Sequence, residues 1–161
     1  TTAQEGATPA HDIELLATAA ERGLLFIDVA AYPFITETKA VFEKHPPETF
    51  GTYRNRLKLA GIKITTDGSP QGRTAYFTTP YLTGGPGGEE NWRGEPLFPK
   101  AEYEQFVKFV YDQNLELIVH CNGDAAIDMF IEAHEAAAKD RFADRRTTII
   151  HSQFVRKDQL Q

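Results

Sequence analysis

Three short apolar runs in this chain each end in, or contain, one polar side chain. They are residues 61–64 (GIKI), 117–120 (LIVH) and 149–151 (IIH). Continuous runs of valine and isoleucine predict strands that are covered on both faces. A lysine or histidine in such a run costs free energy unless it has a partner or a function. We therefore expect these three polar side chains to converge on one point.

Helical and strand-like segments alternate along the rest of the chain. Apolar residues at helical spacing, with their caps and stops, predict helices over 9–22, 36–44, 99–113 and 124–139. Apolar runs predict strands over 24–30, 59–65, 115–121 and 147–151. This alternation predicts right-handed parallel crossovers and an α/β fold. Residues 1–161 are expected to form a single domain.

A long segment over about 67–98 has little periodicity and is rich in glycine and proline. A loop of about 30 residues is unusual in a compact domain and is normally functional or disordered. It has no phosphate-binding signature, because its glycine cluster is not followed by Lys-Ser/Thr and does not open a helix. We expect it to be a flexible lid over a pocket or a surface excursion.

Composition excludes several classes of function. The formal net charge is −6 and there is no basic stripe, so nucleic acid is not an expected partner. No apolar run approaches the roughly 18 residues that a membrane span needs, so a membrane is not expected either. The single cysteine permits no intrachain disulfide and favours a reducing compartment such as the cytoplasm.

The polar strand ends suggest a metal site, although the pattern alone leaves a structural role open. His120 and His151 stand where the side chains of parallel strands converge, and neutral imidazole is a common zinc ligand. Lys63 has no lone pair while it is charged, so it would need deprotonation or conversion to a carbamate. Asp67 and Asp124 each come closely after a strand. They are expected either to cap a turn or helix, the local preference for Asp124, or to orient a histidine.

Four segments resemble signatures of one enzyme family. Residues 62–69 (IKITTDGS) resemble "vKlfaDGS", 120–128 (HCNGDAAID) resemble "HaiGDrAvd", 150–153 (IHSQ) resemble "EHaq", and 1–6 (TTAQEG) resemble the end of "GvTtaqdg". They occur in the right order over nearly the whole chain. The sequence therefore resembles the amidohydrolase superfamily, in the family 3 branch that includes N-substituted formamide deformylases.

The resemblance implies a partial (β/α)8 barrel, from about strand two or three to strand six, of a hydrolase that is usually zinc-dependent. Lys63 matches the strand-four lysine that can be carboxylated to bridge two metals. His120 and His151 match the histidine ligands of strands five and six. The implied substrate is a small amide-like molecule with a non-peptide carbon–nitrogen bond, and Arg73, Tyr81 and Trp92 are candidates for contacting it.

Parts of the family pattern are absent or altered. The chain has no His-x-His pair, and the strand-eight aspartate that the family uses as general base is not expected within it. We therefore expect an internal fragment that is inactive alone and either self-associates or joins the rest of a parent chain. Ile150 replaces the usual glutamate and Ala125 the usual arginine of the motifs, which affects the surroundings of the ligands more than the ligand set.

Two other functions remain open at this stage. Lys63 could form a Schiff base with a carbonyl substrate, as lysines in barrel strands do in aldolases. The chain could also be a non-catalytic α/β interaction domain, in which case both histidines would be dispensable. The coincidence of three polar strand positions argues against the second alternative.

Overall fold

The computed structural model describes residues 1–139 and 144–160. Within them, strands and helices alternate except at one place, where two strands follow each other. The elements in chain order are β1 (Thr2–Thr8), α1 (Ala10–Glu21), β2 (Asp28–Pro33), α2 (Thr38–Phe42), β3 (Leu57–Leu59), β4 (Gly61–Thr65), α3 (Lys100–Asp112), β5 (Glu116–Cys121), α4 (Asp124–Ala137) and β6 (Thr148–His151). Short 3-10 turns cover Ile35–Glu37, Pro47–Thr49 and Lys157–Leu160. The strand orders are β1-β2-β3 in one sheet and β4-β5-β6 in the other.

The chain divides into two compact units. The first contains Thr1–Ile64 and Val110–Ile118, and the second contains Thr65–Phe109 and Val119–Gln161. The first unit therefore holds the β1-β2-β3 sheet. The second holds the long loop, α4, β6 and the last residues of β5.

Strand β2 is the centre of the first sheet and is covered on both faces. It pairs in parallel with β1 and β3, and Val29 lies opposite Ala3 and Leu57. Val29 and Ala31 belong to one buried cluster, whereas Ala30 and Tyr32 belong to another that includes Ile118. Alternate side chains of a strand point to opposite faces, so both faces of β2 are buried. This confirms an α/β fold built on parallel strands.

The predicted strands differ from the observed ones in three places. Strand β1 is not predicted by the pattern, because residues 2–8 lack an apolar alternation; parallel pairing with β2 makes them a strand. The strand predicted over 24–30 starts only at Asp28, and Leu24 and Phe26 before it are 65% and 87% exposed. The run 59–65 is not one strand, since Leu59 ends β3, which pairs with β2, and Gly61 begins β4 in the other sheet.

The second half of the chain agrees closely with its pattern. Helices α3 and α4 and strands β5 and β6 lie within two residues of their expected ends. Residues 66–99 are all described and contain no helix or strand. The loop is nevertheless folded on itself, because Phe77 N–H donates to the Arg93 carbonyl at 2.7 Å and Tyr81 N–H to the Trp92 carbonyl at 2.8 Å. None of the helices in the described residues has the length and apolar character needed to cross a membrane.

Replacing Gly61 with alanine is expected to destabilise the protein. The added Cβ would fall inside van der Waals distance of the Glu116 main-chain carbonyl. Overpacking of this kind costs about 1–3 kcal/mol of unfolding free energy, measurable by urea denaturation. Gly6→Ala is the matched control, because that Cβ would meet Ile118 at an ordinary 3.6 Å. Equal losses for the two variants would contradict the prediction.

Candidate metal centre

Two histidines lie side by side in the second unit. His120 is on β5 and His151 ends β6, and their ring centroids are 4.7 Å apart with an interplanar angle of 73°. The side chain of His120 is 19% exposed, and His151 is exposed. The structure thus brings together two of the three side chains that the strand pattern singled out.

Three polar groups surround the Nε2 nitrogen of His120. Its Nε2 lies 3.1 Å from the Gly68 carbonyl oxygen and 3.5 Å from Asp67 Oδ1. These two oxygens only accept and favour the proton on Nε2, whereas the Asn122 side-chain Nδ2, 3.1 Å from the same nitrogen, only donates and favours the proton on Nδ1. A metal-binding histidine commonly donates its other ring N–H to a carbonyl or carboxylate in this way.

The Asp67 carboxylate fixes the backbone around His120. Its Oδ1 accepts the Asn122 N–H at 2.9 Å, and its Oδ2 accepts the N–H groups of Gly123 at 2.8 Å and Tyr76 at 2.9 Å. The Asp67 side chain is fully buried. One buried carboxylate therefore holds the end of β4, the turn after β5 and the start of the long loop together.

Gly123 is required by the close passage of the loop. A Cβ on this residue would collide with the Tyr76 carbonyl. Glycine at the turn therefore lets the loop backbone approach near enough for Tyr76 to reach Asp67. This close approach explains sterically why the Gly-Asp pair of the 120–128 motif has glycine at its first position.

Asp124 is not the N-cap of α4, contrary to the local expectation. The N-cap is Gly123, which forms no side-chain cap hydrogen bond, although Asp124 Oδ1 accepts the Ala125 N–H of the first turn at 3.0 Å. The Asp124 carboxylate also accepts the Thr78 N–H at 2.9 Å, the Thr78 hydroxyl, and Arg156 Nη1 at 3.0 Å. Capping preferences are local, whereas these partners come from 46 and 32 residues away. Asp124 therefore ties the loop and the segment after β6 to the start of α4.

Lys63 belongs to the first unit. It lies on β4, bridges in parallel to Phe34, and is 4% exposed. A buried lysine is uncommon and its ammonium is costly to desolvate. Its place in a ligand set stays a prediction.

The three loop residues expected to contact substrate each bond within the loop. Arg73 Nη1 donates to the carbonyls of Thr83 and Gly84 at 3.4 Å, and Trp92 Nε1 donates to the Arg73 carbonyl at 2.6 Å. The Tyr81 hydroxyl donates to the Ala75 carbonyl at 2.9 Å, and burial raises the pKa of this phenol. These bonds explain the order of the loop, and contact with a substrate stays a prediction.

The sequence patterns did not single out two polar residues of the second unit. The Asn122 side chain donates to the Gly68 carbonyl at 2.8 Å and lies 3.1 Å from His120 Nε2. Arg156 forms a bidentate pair with Asp128 at 2.9 and 2.8 Å. Asn122 follows the strand-end His120 by two residues, and this position could have suggested a contact with it. The pairing of Arg156 with Asp128 spans 28 residues, so no local pattern indicates it.

The histidine pair fits two positions of a metal's ligand shell. Imidazole nitrogens suit zinc and related divalent metals, and the Nε2 of His120 faces a carbonyl and a carboxylate, which are common outer partners of a ligating histidine. Among residues 1–139 and 144–160, no group of three or more His, Cys, Asp or Glu side chains could hold a metal ion. The described carboxylates and imidazoles therefore form no complete metal site, and the place of His120 and His151 in a ligand set stays a prediction.

A family model decides what kind of protein this is. The model described as "Amidohydrolase family" matches residues 1–161. The chain belongs to the amidohydrolase family. This confirms the family that the four motifs pointed to.

Solved structures resemble this amidohydrolase chain over nearly its full length. They include crystal structures of uncharacterized metal-dependent hydrolases from Pyrococcus horikoshii OT3 and Pyrococcus furiosus, with TM-scores of 0.78 and 26% and 27% identity. The match covers 98% of this chain in each case but 30% and 31% of those proteins. No curated protein sequence matches the chain. The fold class is thus α/β and corresponds to part of a (β/α)8 barrel, as the resemblance implied.

Asp67→Asn is expected to destabilise the protein strongly. The new amide would point an NH2 group at main-chain N–H groups that the carboxylate now accepts. Leaving buried donors unsatisfied costs about 1–3 kcal/mol each, so we expect a loss of about 3 kcal/mol in unfolding free energy. Asp28→Asn, which alters an exposed pair with Arg56, should cost less than about 1 kcal/mol. Similar urea midpoints for both variants would refute the role given to Asp67.

The contribution of Asp124 to stability is expected to depend on pH. Burial raises the pKa of Asp124, but hydrogen bonds from Thr78 and Arg156 lower it further, so the net shift is downward from 3.8. A group with a lowered pKa stabilises the folded state above its unfolded pKa, and this contribution is lost as the pH falls.

Asp124→Asn should therefore be about 2 kcal/mol less stable than the parent chain at pH 7. The gap should shrink on going to pH 3 and below, as measured by urea denaturation at each pH. An unchanged gap across this range would count against the ionised carboxylate as its cause.

Proposed function

We propose that this chain carries two ligands, His120 and His151, of the metal centre of a hydrolase that cleaves carbon–nitrogen bonds in small amide-like molecules. The single observation that carries the proposal is the adjacent pair of imidazoles, 4.7 Å apart, at the ends of β5 and β6. Membership of the amidohydrolase family supports the same chemistry. The two similar Pyrococcus proteins are metal-dependent hydrolases by description.

The metal we propose is zinc. When bound, a divalent metal of this kind supplies a Lewis acid that lowers the pKa of water towards about 7 and polarises a carbonyl oxygen. His120 would bind through Nδ1, because its Nε2 faces the Gly68 carbonyl. His151, at the end of the neighbouring strand, would supply the second nitrogen.

The remaining residues of the second unit would hold and screen the site. Asp67 orients His120 through the backbone bonds it makes and through its own approach to Nε2. The loop over about 67–98 would cover the pocket, and Arg73, Tyr81 and Trp92 would contact the substrate from it. An aromatic and cationic set of this kind suits a planar amide with an apolar substituent.

Lys63 is proposed as a third ligand after conversion to a carbamate. Its burial supports a function for it, because an unmodified ammonium in an apolar strand is costly. Since the chain covers less than a third of the length of the solved relatives, turnover is assigned to the whole protein and not to these residues alone.

Zinc titration tests the proposal directly. We expect isothermal calorimetry to show Zn²⁺ binding, and His120→Ala or His151→Ala to weaken it by about tenfold or more through loss of a nitrogen ligand. His11→Ala is the control, because that histidine is exposed on α1.

Two results would contradict the metal centre. Zn²⁺ affinity that is unchanged in both variants would favour a non-catalytic domain. Borohydride trapping of a carbonyl compound on Lys63 in a chain that binds no zinc would favour a Schiff-base enzyme.

A further inference from the structure

The turn that presents His151 is conformationally strained. His151 has φ 75° and Ser152 has φ 48°, both in the left-handed region. Residues other than glycine are disfavoured there because Cβ approaches the following carbonyl oxygen. Two in succession persist only where the surrounding structure holds them, and such strain clusters at functional sites.

Backbone hydrogen bonds attach the segment after this turn to the end of β5. Ser152 N–H donates to the Cys121 carbonyl and Phe154 N–H to the Asn122 carbonyl, both at 3.0 Å. The ring of Phe154 also packs edge-on against Phe77 of the long loop, with centroids 4.9 Å apart. These contacts lie directly beside the turn, and the Phe154 side chain that makes the ring contact is half-exposed.

Arg156 provides a stronger attachment two residues later. Its guanidinium makes a bidentate pair with Asp128 at 2.9 and 2.8 Å, and Nη1 also bonds Asp124 at 3.0 Å. Asp158 accepts from Nε at 3.3 Å and from Nη2 at 3.1 Å. Three carboxylates therefore surround one cation, and two of them belong to α4.

Gln159 completes the attachment of this segment. Its side-chain oxygen accepts the Arg156 main-chain N–H at 2.8 Å, while its Nε2 donates to the Asp124 carbonyl at 2.8 Å and to Asp128 Oδ1 at 2.7 Å. We call Arg156, Gln159, Asp124 and Asp128 the Arg156 clamp. It fixes the chain five residues after His151 to the helix that begins after His120.

We propose that Arg156 is a positioning residue for His151: the Arg156 clamp holds the strained His151–Ser152 turn so that the His151 ring stays beside His120. The geometry supports this, because β6 ends at His151 and the strand cannot itself hold the two residues with positive φ. The inference rests on the proposed function only where it expects the two rings to bind a metal. Because Asp124 also holds Thr78, the same clamp ties the long loop to the site.

A planar fork is essential to this role. Arginine can bond both oxygens of Asp128 while reaching Asp124, whereas lysine is a point charge that cannot form the bidentate pair. Lysine at 156 should therefore keep the charge and lose the geometry. This distinguishes positioning from simple charge neutralisation.

The experiment compares the parent chain with Arg156→Ala, Arg156→Lys and the double variant Arg156→Ala/Ser152→Gly. Two readouts are the nuclear Overhauser contact between the His120 and His151 rings without metal, and the Zn²⁺ dissociation constant. Thermal denaturation shows that each variant is folded. If Arg156→Ala does not fold, Asp128→Asn, which keeps one acceptor oxygen, replaces it.

We expect Arg156→Ala to lose the ring contact and to weaken Zn²⁺ binding about tenfold, with Arg156→Lys weaker than the parent by about threefold. Glycine at 152 adopts the left-handed conformation without steric cost, so the double variant should recover about fivefold of the loss. Asn114→Gly, at φ 55° in the first unit, should recover nothing when combined with Arg156→Ala. Arg56→Ala, which removes an exposed pair with Asp28, should change neither readout.

The two readouts separate this inference from the proposed function. A ring contact that survives in Arg156→Ala would overturn the positioning role, whether or not the parent chain binds Zn²⁺. A ring contact that is lost in Arg156→Ala, in a parent chain that binds no Zn²⁺, would support the clamp and refute the metal centre. Loss that glycine at 152 does not repair would show that Arg156 acts on the fold and not on the turn, and would also overturn the inference.

Discussion

The buried Asp67 carboxylate is the interaction on which the candidate site depends. It accepts three main-chain N–H groups, from Tyr76, Asn122 and Gly123, and it lies 3.5 Å from His120 Nε2. A buried carboxylate is costly unless hydrogen bonds replace its lost water. Here the donors come from separate segments. The hydrogen bonds that stabilise the Asp67 charge therefore also hold together the end of β4, the turn after β5 and the loop.

A second carboxylate repeats the arrangement one step outward. Asp124 accepts the N–H and hydroxyl of Thr78, two residues along the loop from the Tyr76 that Asp67 holds. The loop therefore has its first limb fixed at two points, and its second limb pairs with the first through Phe77 and Tyr81. These bonds order a segment of more than 30 residues that contains no helix or strand.

The same aspartate connects the loop to His151. Arg156 bonds Asp124 and Asp128, and thereby anchors the segment after the strained turn. The two histidines are thus supported differently. His120 sits within a strand and is oriented by a carbonyl and a carboxylate, whereas His151 ends its strand and depends on the segment C-terminal to it. A metal site built this way would be sensitive to substitutions that never touch the metal.

Much of this could be predicted from the order of residues alone. Local periodicity predicts helices α3 and α4 and strand β5. In each of them the spacing of the apolar residues places them all in the core in only one type of secondary structure. The polar ends at His120 and His151 stand out for the same reason, and the motifs around them were sufficient to identify the family. Asp124 is not the N-cap that its position after β5 suggested, and a short-range preference cannot reveal its partner 46 residues away.

Only the tertiary structure decided the pairings between distant segments. Residues 2–8 are a strand because they pair with β2, and the run 59–65 divides because Leu59 belongs to one sheet and residues 61–65 to the other. Arg156 and Ser152 carry no local signal. The role of Arg156 depends on bonds from its guanidinium to two aspartates of α4, and Ser152 has a positive φ that only the surrounding structure maintains. The pattern of buried positions can be read from the sequence because each apolar side chain individually favours removal from water. These contacts join distant segments, so they exist only once the chain has folded.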